Sequence, residues 1–538
     1  MAESKLLVKG TVPPPLDREL TVVGKPLNRR DAAEKVTGQA KYSGDMKLPG
    51  MLYGKILHCP HPRARIVRID TSKAEALPGV MAVLSKENTK GWRTSWYEVP
   101  ELAFPELITH EGIEVAAVAA VDVRTAQKAI ELIDVEYEVL TPMLDAEETL
   151  KAPPPALIAD EEYPGREMFD RKPFVIQRGN LEKGFEEADV IIEETYTTQV
   201  SHHGTIQTRA CIASWDGENL TVWDAIQGVW NSKLALAKSL DLKPENVRVM
   251  VKYLGGGFGS KAWSQRITYY AARLSMITGR PVKMERTRSE EFINHSRRYD
   301  TKMYLKMGAK KDGTLTAILQ RAIVNTGAAA TEENYYCRQI IWHTANLHAC
   351  PNVYLEQTGV YTNRQTTGPT RSPMNMQAIF ALESHMDRMA VELGIDPLDF
   401  RMKNYATYQS VGTAEAHLTG DGTTTFAAKI PYSSKILDEC MKLATDAIDW
   451  KKRSRAPVVS QSPVKRGMGM SSYLVLQGVG LFPYVAEAKV RIKHDGTINL
   501  YVGVVDIGGG QKTILGMIAA EELGVSSDAV TVIIGDTQ

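Results

Sequence analysis

Apolar residues along this chain follow two rhythms, and the changes between them mark out its elements. "MLYGKILH" (51–58), "VAAVAAV" (115–121) and "VRVMVKY" (247–253) are short apolar runs of the length a buried strand needs. "RTAQKAIELI" (124–133), "SQRITYYAARLSMITG" (264–279) and residues 374–393 carry apolar positions at helical spacing and predict helices. "SWDGENLTVW", "GAKKDGTLTAIL" and "KVRIKHDGTINLYV" each set Asp-Gly between strand-forming runs, which predicts three tight hairpins. Their irregular spacing argues against a repeat array. Residues 498–538 read as strand, glycine loop, helix, strand. Hairpins mixed with strand–loop–helix units predict an α+β, or mixed α/β, fold.

Breaks in this patterning divide the chain. Residues 1–35 are polar and dotted with proline ("TVPPPLDREL"), and read as an extended arm. A small domain over 36–150 is followed by an acidic, proline-rich linker, "KAPPPALIADEEYPGRE" (151–167). A long unit over 168–450 ends at a second linker, basic and proline-bearing, at 451–467. Residues 468–538 open a last domain that is short for one beginning this way, so either another chain completes it or this is a fragment.

Composition narrows the classes. At 538 residues the chain is too long for one core. Lys+Arg and Asp+Glu both number 64, which gives no electrostatic case for nucleic acid or an anionic membrane. The start, "MAESKLLVKG", lacks a signal peptide's apolar core, and no uncharged apolar run reaches the ~18 residues of a membrane span. A soluble, cytoplasmic protein is expected. The five cysteines are far apart, with no Cys-x-x-Cys to hold zinc or an iron–sulfur cluster.

Two glycine clusters carry the chemistry. "LGGGFGSKAW" (254–263) joins a predicted strand to a predicted helix, and "GGGQKT" (508–513) opens the last helix. Glycine lets backbone N–H groups approach a ligand, and a helix start favours negative charge. The dinucleotide fingerprint is imperfect: Gly255-x-Gly257-x-x-Ser260 lacks its third glycine, and the acid, Glu285, comes late. The phosphate-loop ending fails twice, because Ala262 follows Lys261 and Gln511 stands where a glycine should. A single loop of this kind reads as a structural turn. Two, each opening a helix, suggest one large polyanionic cofactor gripped by main-chain N–H groups of separate domains.

"GGGFGSK", with "WDAIQGVWNSKLALAKSLDL" upstream, resembles the molybdenum-binding subunits of the xanthine dehydrogenase/aldehyde oxidase family. "EKVTGQAKYSGD", "HPRARIVRIDTSKAEALPGVMAVL", "YTNRQTTGPTRSPMNMQAIFALESHMDRMAVELGIDP" and "DIGGGQKTILGMIAAEELGV" agree in the family's order, from about residue 30 onward. The resemblance implies an N-terminal a/b-hammerhead domain followed by molybdopterin-binding domains, the last one incomplete. It implies a molybdenum–molybdopterin cofactor, often a cytosine dinucleotide in that family. It also implies [2Fe-2S] and FAD on partner subunits, with a second molybdopterin subunit completing the C-terminal domain.

Residue by residue, the resemblance makes Gly256, Gly257, Phe258 and Gly259 the loop beside the metal, with the Phe258 N–H offered to a metal ligand. Gln227 matches the glutamine hydrogen-bonded to the metal's apical oxo group; read alone it is an ordinary polar residue ending a strand. Arg371 matches the arginine whose loop closes over the metal, Gln377 lies on the cofactor-facing helix, and Gly508, Gly509 and Gly510 hold the dithiolene and phosphate end. Most relatives have glutamine where Gly509 stands, so one side-chain hydrogen bond is expected to be lost. The family's general base, a glutamate between glycine and proline, has no counterpart here and is expected from a separate polypeptide; a truncated product would be inactive.

The implied reaction is oxidative hydroxylation, with water as the oxygen source. Ala262, Gln339 and Pro373 depart from the family's purine clamp, and Ser372 stands where the carbon monoxide branch has its copper-binding cysteine. Ala262, Trp263, Tyr335, Tyr336, Gln339, Trp342 and His343 are the expected pocket walls, suited to an N-heteroaromatic or aldehyde substrate. Two alternatives stand beside this: a reductive dehydroxylase like 4-hydroxybenzoyl-CoA reductase, and a non-catalytic cofactor-binding or assembly subunit. His202 and His203 have no partner at ligand spacing and are not read as metal ligands.

Overall fold

A computed structural model describes residues 19–96, 99–152, 173–262, 264–328, 339–406, 415–418, 436–453, 462–473 and 487–538. The expected linker 151–167 lies almost wholly outside these residues, as do Trp263, Tyr335 and Tyr336.

A mixed seven-stranded sheet runs, in order, Val247–Met250, Leu220–Trp223, Ala210–Trp215, Val282–Glu285, Leu52–His58, Glu114–Ala120 and Val80–Ser85. It draws strands from both 36–150 and 168–450. Glu114–Ala120 is buried at all seven positions, because helices Val123–Glu131 and Arg266–Thr278 both pack on it. That explains an unbroken apolar run where a half-exposed strand would alternate. Asp122 caps the first of these helices by accepting the Thr125 N–H, and Gly279, at φ 64°, ends the second.

A six-stranded sheet, ordered Val190–Thr198, Asp300–Ala309, Leu315–Gly327, Asn352–Tyr361, Pro173–Arg178 and Glu415–Leu418, carries helices Gln339–Asn346 and Asn375–Leu393. A three-stranded sheet at the C-terminal end holds helix Gln511–Leu523 as the crossover between parallel strands Ile498–Val502 and Val530–Ile534. All three predicted hairpins are present, and each turn works alike. Asp216, Asp312 and Asp495 accept backbone N–H groups two residues on, while Gly217, Gly313 and Gly496 take φ of 104°, 85° and 81°.

The C-terminal sheet is bonded to the first. Val251 N–H donates to Gly535 O at 2.7 Å, Thr537 N–H to Val249 O at 3.2 Å, and Arg248 pairs with Asp536 at 2.6 Å. Val505, on the way to the second glycine loop, is buried in the core beneath the seven-stranded sheet. The arm also differs from a free extension: residues 21–30 dock on helix Gln511–Leu523 and its neighbours, and Ala32–Val36 is helical.

Gly535→Ala tests this junction. Gly535 sits at φ 71°, and a Cβ would collide with Val251 O. The substitution is expected to destabilise the C-terminal sheet by about 1–3 kcal/mol. Limited proteolysis should then release residues 488–538 early; unchanged resistance would contradict the junction's role.

Candidate cofactor site

Strands Leu220–Trp223 and Val247–Met250 are neighbours and parallel, so their C-terminal ends open on one edge of the sheet. One continues to Gln227 and the other to the glycine loop. The carboxyl ends of parallel strands are where α/β sheets place their ligands. Gln227 lies beyond the strand proper, which stops at Trp223.

Gln227 and the loop shape each other. The Gln227 N–H donates to Lys261 O at 2.6 Å, and its Oε1 accepts the Gly259 N–H at 3.0 Å. A Cβ on Gly257 would displace that amide, and one on Gly259, at φ 98°, would collide with Pro369 O, so position 259 requires glycine. Because Oε1 faces a donor, the Gln227 Nε2 is left pointing elsewhere, with no partner among the described residues. Gly256, Phe258 and Gly259 take φ of 90°, 53° and 98°, which for Phe258 is a strained backbone. The N–H groups of Gly256, Gly257 and Phe258 have no protein partner among the described residues.

Below the loop is a buried charged layer. Lys261 is fully buried; its Nζ donates to Gln207 O at 2.7 Å, and burial, then the Arg209 charge, pushes its pKa down to about 7. Gln207 Oε1 accepts the Gly255 N–H at 2.7 Å. Arg209 donates to Ser260 O and pairs with Glu291 at 3.0 Å. Burial raises the pKa of Asp224, whose carboxylate accepts from Thr268, Ser264 and its neighbour's N–H.

The arginine loop closes on the same glycines. The Arg371 N–H donates to Phe258 O at 2.8 Å, and Arg298 donates to Arg371 O at 2.7 Å and Ser372 O at 3.3 Å. Ser372 and Met374 are left-handed, at φ 59° and 56°. Arg371 is thus fixed through its main chain, while its exposed guanidinium has no ion pair among the described residues. Gln377 is buried with both ends of its amide engaged, accepting from Arg298 and donating to Tyr299 O at 3.1 Å. It braces the arginine loop from behind.

The second loop is built differently. Asp506 Oδ1 accepts the N–H groups of Gly508 at 2.9 Å and Gly510 at 3.2 Å, and these glycines take φ of 121° and 83°. The N–H groups of Gly509, Gln511 and Lys512 have no partner among the described residues. A Cβ at Gly508 would meet nothing within 4 Å. Lys512 Nζ lies 5.3 Å from the centre of the Tyr253 ring, two residues before the first glycine loop, so the two loops are neighbours.

Of the expected pocket walls, Ala262 and Trp342 are half-buried, and the Trp342 Nε1–H is buried without a partner among the described residues. His343 bonds to Asn375 and stacks on Tyr473, which in turn bonds to Ser372. Gln339 begins the same helix, but its side chain lies outside the described residues. Among those residues no group of three or more His, Cys, Asp or Glu converges, and no helix is long and apolar enough to cross a membrane. Gln207, Lys261, Arg298 and Tyr473 are site supports that spacing did not reveal, since each meets its partner from a distant stretch of chain.

Three family models match: the aldehyde oxidase and xanthine dehydrogenase a/b hammerhead domain over 37–141, and molybdopterin cofactor-binding domains over 161–405 and 443–538. A probable xanthine dehydrogenase subunit from Bacillus subtilis is 31% identical across 96% of this chain and 67% of its own length. The chain belongs to the xanthine dehydrogenase/aldehyde oxidase family of molybdopterin-binding subunits. The aldehyde oxidoreductase molybdenum-binding subunit PaoC of Escherichia coli is 29% identical, over 97% of this chain and 67% of PaoC. The large molybdopterin subunit of nicotinate dehydrogenase from Eubacterium barkeri is 31% identical over 72% of this chain and 90% of that subunit. The chain spans only 58% of another relative, the probable hypoxanthine oxidase XdhD of Escherichia coli. Quinoline 2-oxidoreductase of Pseudomonas putida 86 shares the fold, with TM-score 0.82 and 23% identity over 97% of this chain and 67% of that one.

A molybdopterin fits these residues. Main-chain donors in both loops have no partner among the described residues, glycine is required at 259 where a Cβ would strike Pro369 O, and Arg371 and Lys512 add cations for an anionic group.

The histidine beside the arginine loop yields a pH prediction. The His203 Nε2–H donates to Pro369 O at 2.8 Å and its ring stacks on His295 at 5.0 Å. Burial, partly opposed by the Pro369 bond and aided by Arg209, Arg298 and His202, pulls its pKa from 6.5 to about 4. Between those values the unfolded imidazole takes a proton that the folded one refuses, so stability falls as pH drops through the window. His203→Gln retains a donor for Pro369 O and is expected to flatten that part of the profile, read as urea midpoint against pH. An unaltered slope would contradict the assignment.

Proposed function

We propose that this chain is the cofactor-holding part of a molybdenum hydroxylase that oxidises an N-heteroaromatic or aldehyde substrate and passes electrons to iron–sulfur and FAD partner subunits. The observation that carries the reading is the pair of neighbouring glycine loops whose central N–H groups have no partner among the described residues. The pterin, in simple or dinucleotide form, is held by Gly256, Gly257, Phe258 and Gly259 on one side and Gly508, Gly509 and Gly510 on the other. When bound, the molybdenum–pterin group supplies two-electron oxidation with water as the oxygen source.

The chain's own residues orient and shield. Gln227 presents its free Nε2 beside the metal position, where a preorganised donor acts without reorganisation. Phe258 offers its N–H from a backbone held in place by Arg371, and Arg371 adds positive charge. Gln377 keeps Arg298, and through it the arginine loop, in position. Ala262 and Trp342 are the described residues proposed for the substrate walls, while Trp263, Tyr336 and the Gln339 side chain, expected there from the sequence, lie outside the described residues. No general base is assigned among these residues. The names of relatives, nicotinate dehydrogenase and aldehyde oxidoreductase, support the substrate classes.

Metal analysis of the protein, purified with the subunits that accompany it, is expected to find molybdenum and pterin in equal amounts; neither metal nor pterin would end this reading. Gln227→Ala should fold yet lose about 100-fold in turnover. Full turnover would remove Gln227 from the site. Arg371→Ala is expected to lower metal occupancy, and normal occupancy would count against its role.

A further inference from the structure

The arm ahead of the first family match contacts the second glycine loop directly. Arg29 Nη1 donates to Gly508 O at 2.9 Å, and its Nη2 reaches Asp506 at 3.5 Å. Asp506 is the carboxylate that accepts the Gly508 and Gly510 N–H groups, so Arg29 holds both the loop's carbonyl and its internal acceptor. The same guanidinium is set by Asp31, at 3.0 and 3.1 Å, and Asp31 is paired with Lys35. Arg29 side-chain exposure is 40%, and its Cζ would stand 3.9 Å from a Cβ at Gly510, so it borders the loop's open side.

The arm is anchored independently of Arg29. The N–H groups of Thr21, Val22 and Val23 converge on the Glu521 carboxylate at 2.6 to 3.1 Å, a backbone nest closed on an anion. Arg30 donates to Val530 O and Ser527 O, and its N–H to Thr513 Oγ1 at 3.1 Å. These contacts join residues some 480 to 500 positions apart. Arg29 is therefore presented to the loop by a segment already held in place.

We infer that Arg29 is a positioning residue for cofactor binding: it turns the Gly508 carbonyl away and neutralises Asp506, so that the N–H groups of Gly509, Gln511 and Lys512 face a phosphate of the pterin. The inference rests on the proposed molybdopterin reading. An unpaired Asp506 would repel that phosphate, and a free Gly508 carbonyl could turn toward it. Lysine carries the charge but cannot bridge carbonyl and carboxylate as the planar fork does.

The test uses the protein with its accompanying subunits and follows pterin release, as fluorescence of the oxidised pterin, during dialysis. Arg29→Gln is expected to release pterin about tenfold faster, the effect of one lost charge-assisted hydrogen bond, with Arg29→Lys in between. In the cofactor-free protein of both variants residues 21–30 should stay docked, read as unchanged amide exchange of that segment, since Glu521 and Arg30 hold it. Wild-type release from Arg29→Gln would overturn the inference. If that variant fails to fold, Arg29→Lys decides: faster release supports the assignment and wild-type release overturns it. Wild-type protein carrying no pterin would instead overturn the cofactor reading, and this inference with it.

Discussion

A backbone N–H that a fold leaves unpaired has to find its partner in water or in a ligand. Among the described residues two clusters of them lie near each other: Gly256, Gly257 and Phe258 after one strand, Gly509, Gln511 and Lys512 at the start of one helix. The acceptors placed beside them take the flanking donors instead. Gln227 Oε1 takes the Gly259 N–H, Gln207 Oε1 takes the Gly255 N–H, and Asp506 takes those of Gly508 and Gly510. The supports absorb the flanking donors and leave the middle ones for a bound anion.

The two clusters serve one group only while the sheets that carry them stay together. That junction is made of backbone bonds between Val249, Val251, Gly535 and Thr537, reinforced by Arg248 and Asp536. Beneath the first loop, Arg209, Lys261, Glu291 and Asp224 form a buried charged layer in which each group has partners. Such layers are expensive to break, because removing one member leaves another buried and uncompensated. Rigidity here comes from satisfied polar contacts as much as from apolar packing.

Much of the frame was legible in the residues themselves. Asp-Gly between strand-forming runs marked the three hairpins, since the aspartate bonds locally and the glycine alone takes positive φ comfortably. The fully apolar "VAAVAAV" marked a strand covered on both faces. Both glycine loops stood out by composition, and the family followed from their order. Gln227 was legible only through the resemblance, for a lone glutamine after a strand carries no signal. Arg29, Arg298 and Lys261 were not legible at all. Their partners lie 54 to 479 positions away, and nothing local distinguishes them from surface cations. Gln377 is the instructive case: its place on the helix was evident, but its engagement with Arg298 and Tyr299, facing the loop's support, is tertiary.

The central claim is that both glycine loops bind the same group. Amide hydrogen exchange, compared between the native assembly and the same assembly stripped of pterin, addresses it most directly. The account predicts that peptides covering 256–258 and 509–512 exchange more slowly together when pterin is bound, and lose that protection together on stripping. Protection confined to one loop, or present in neither, would contradict it.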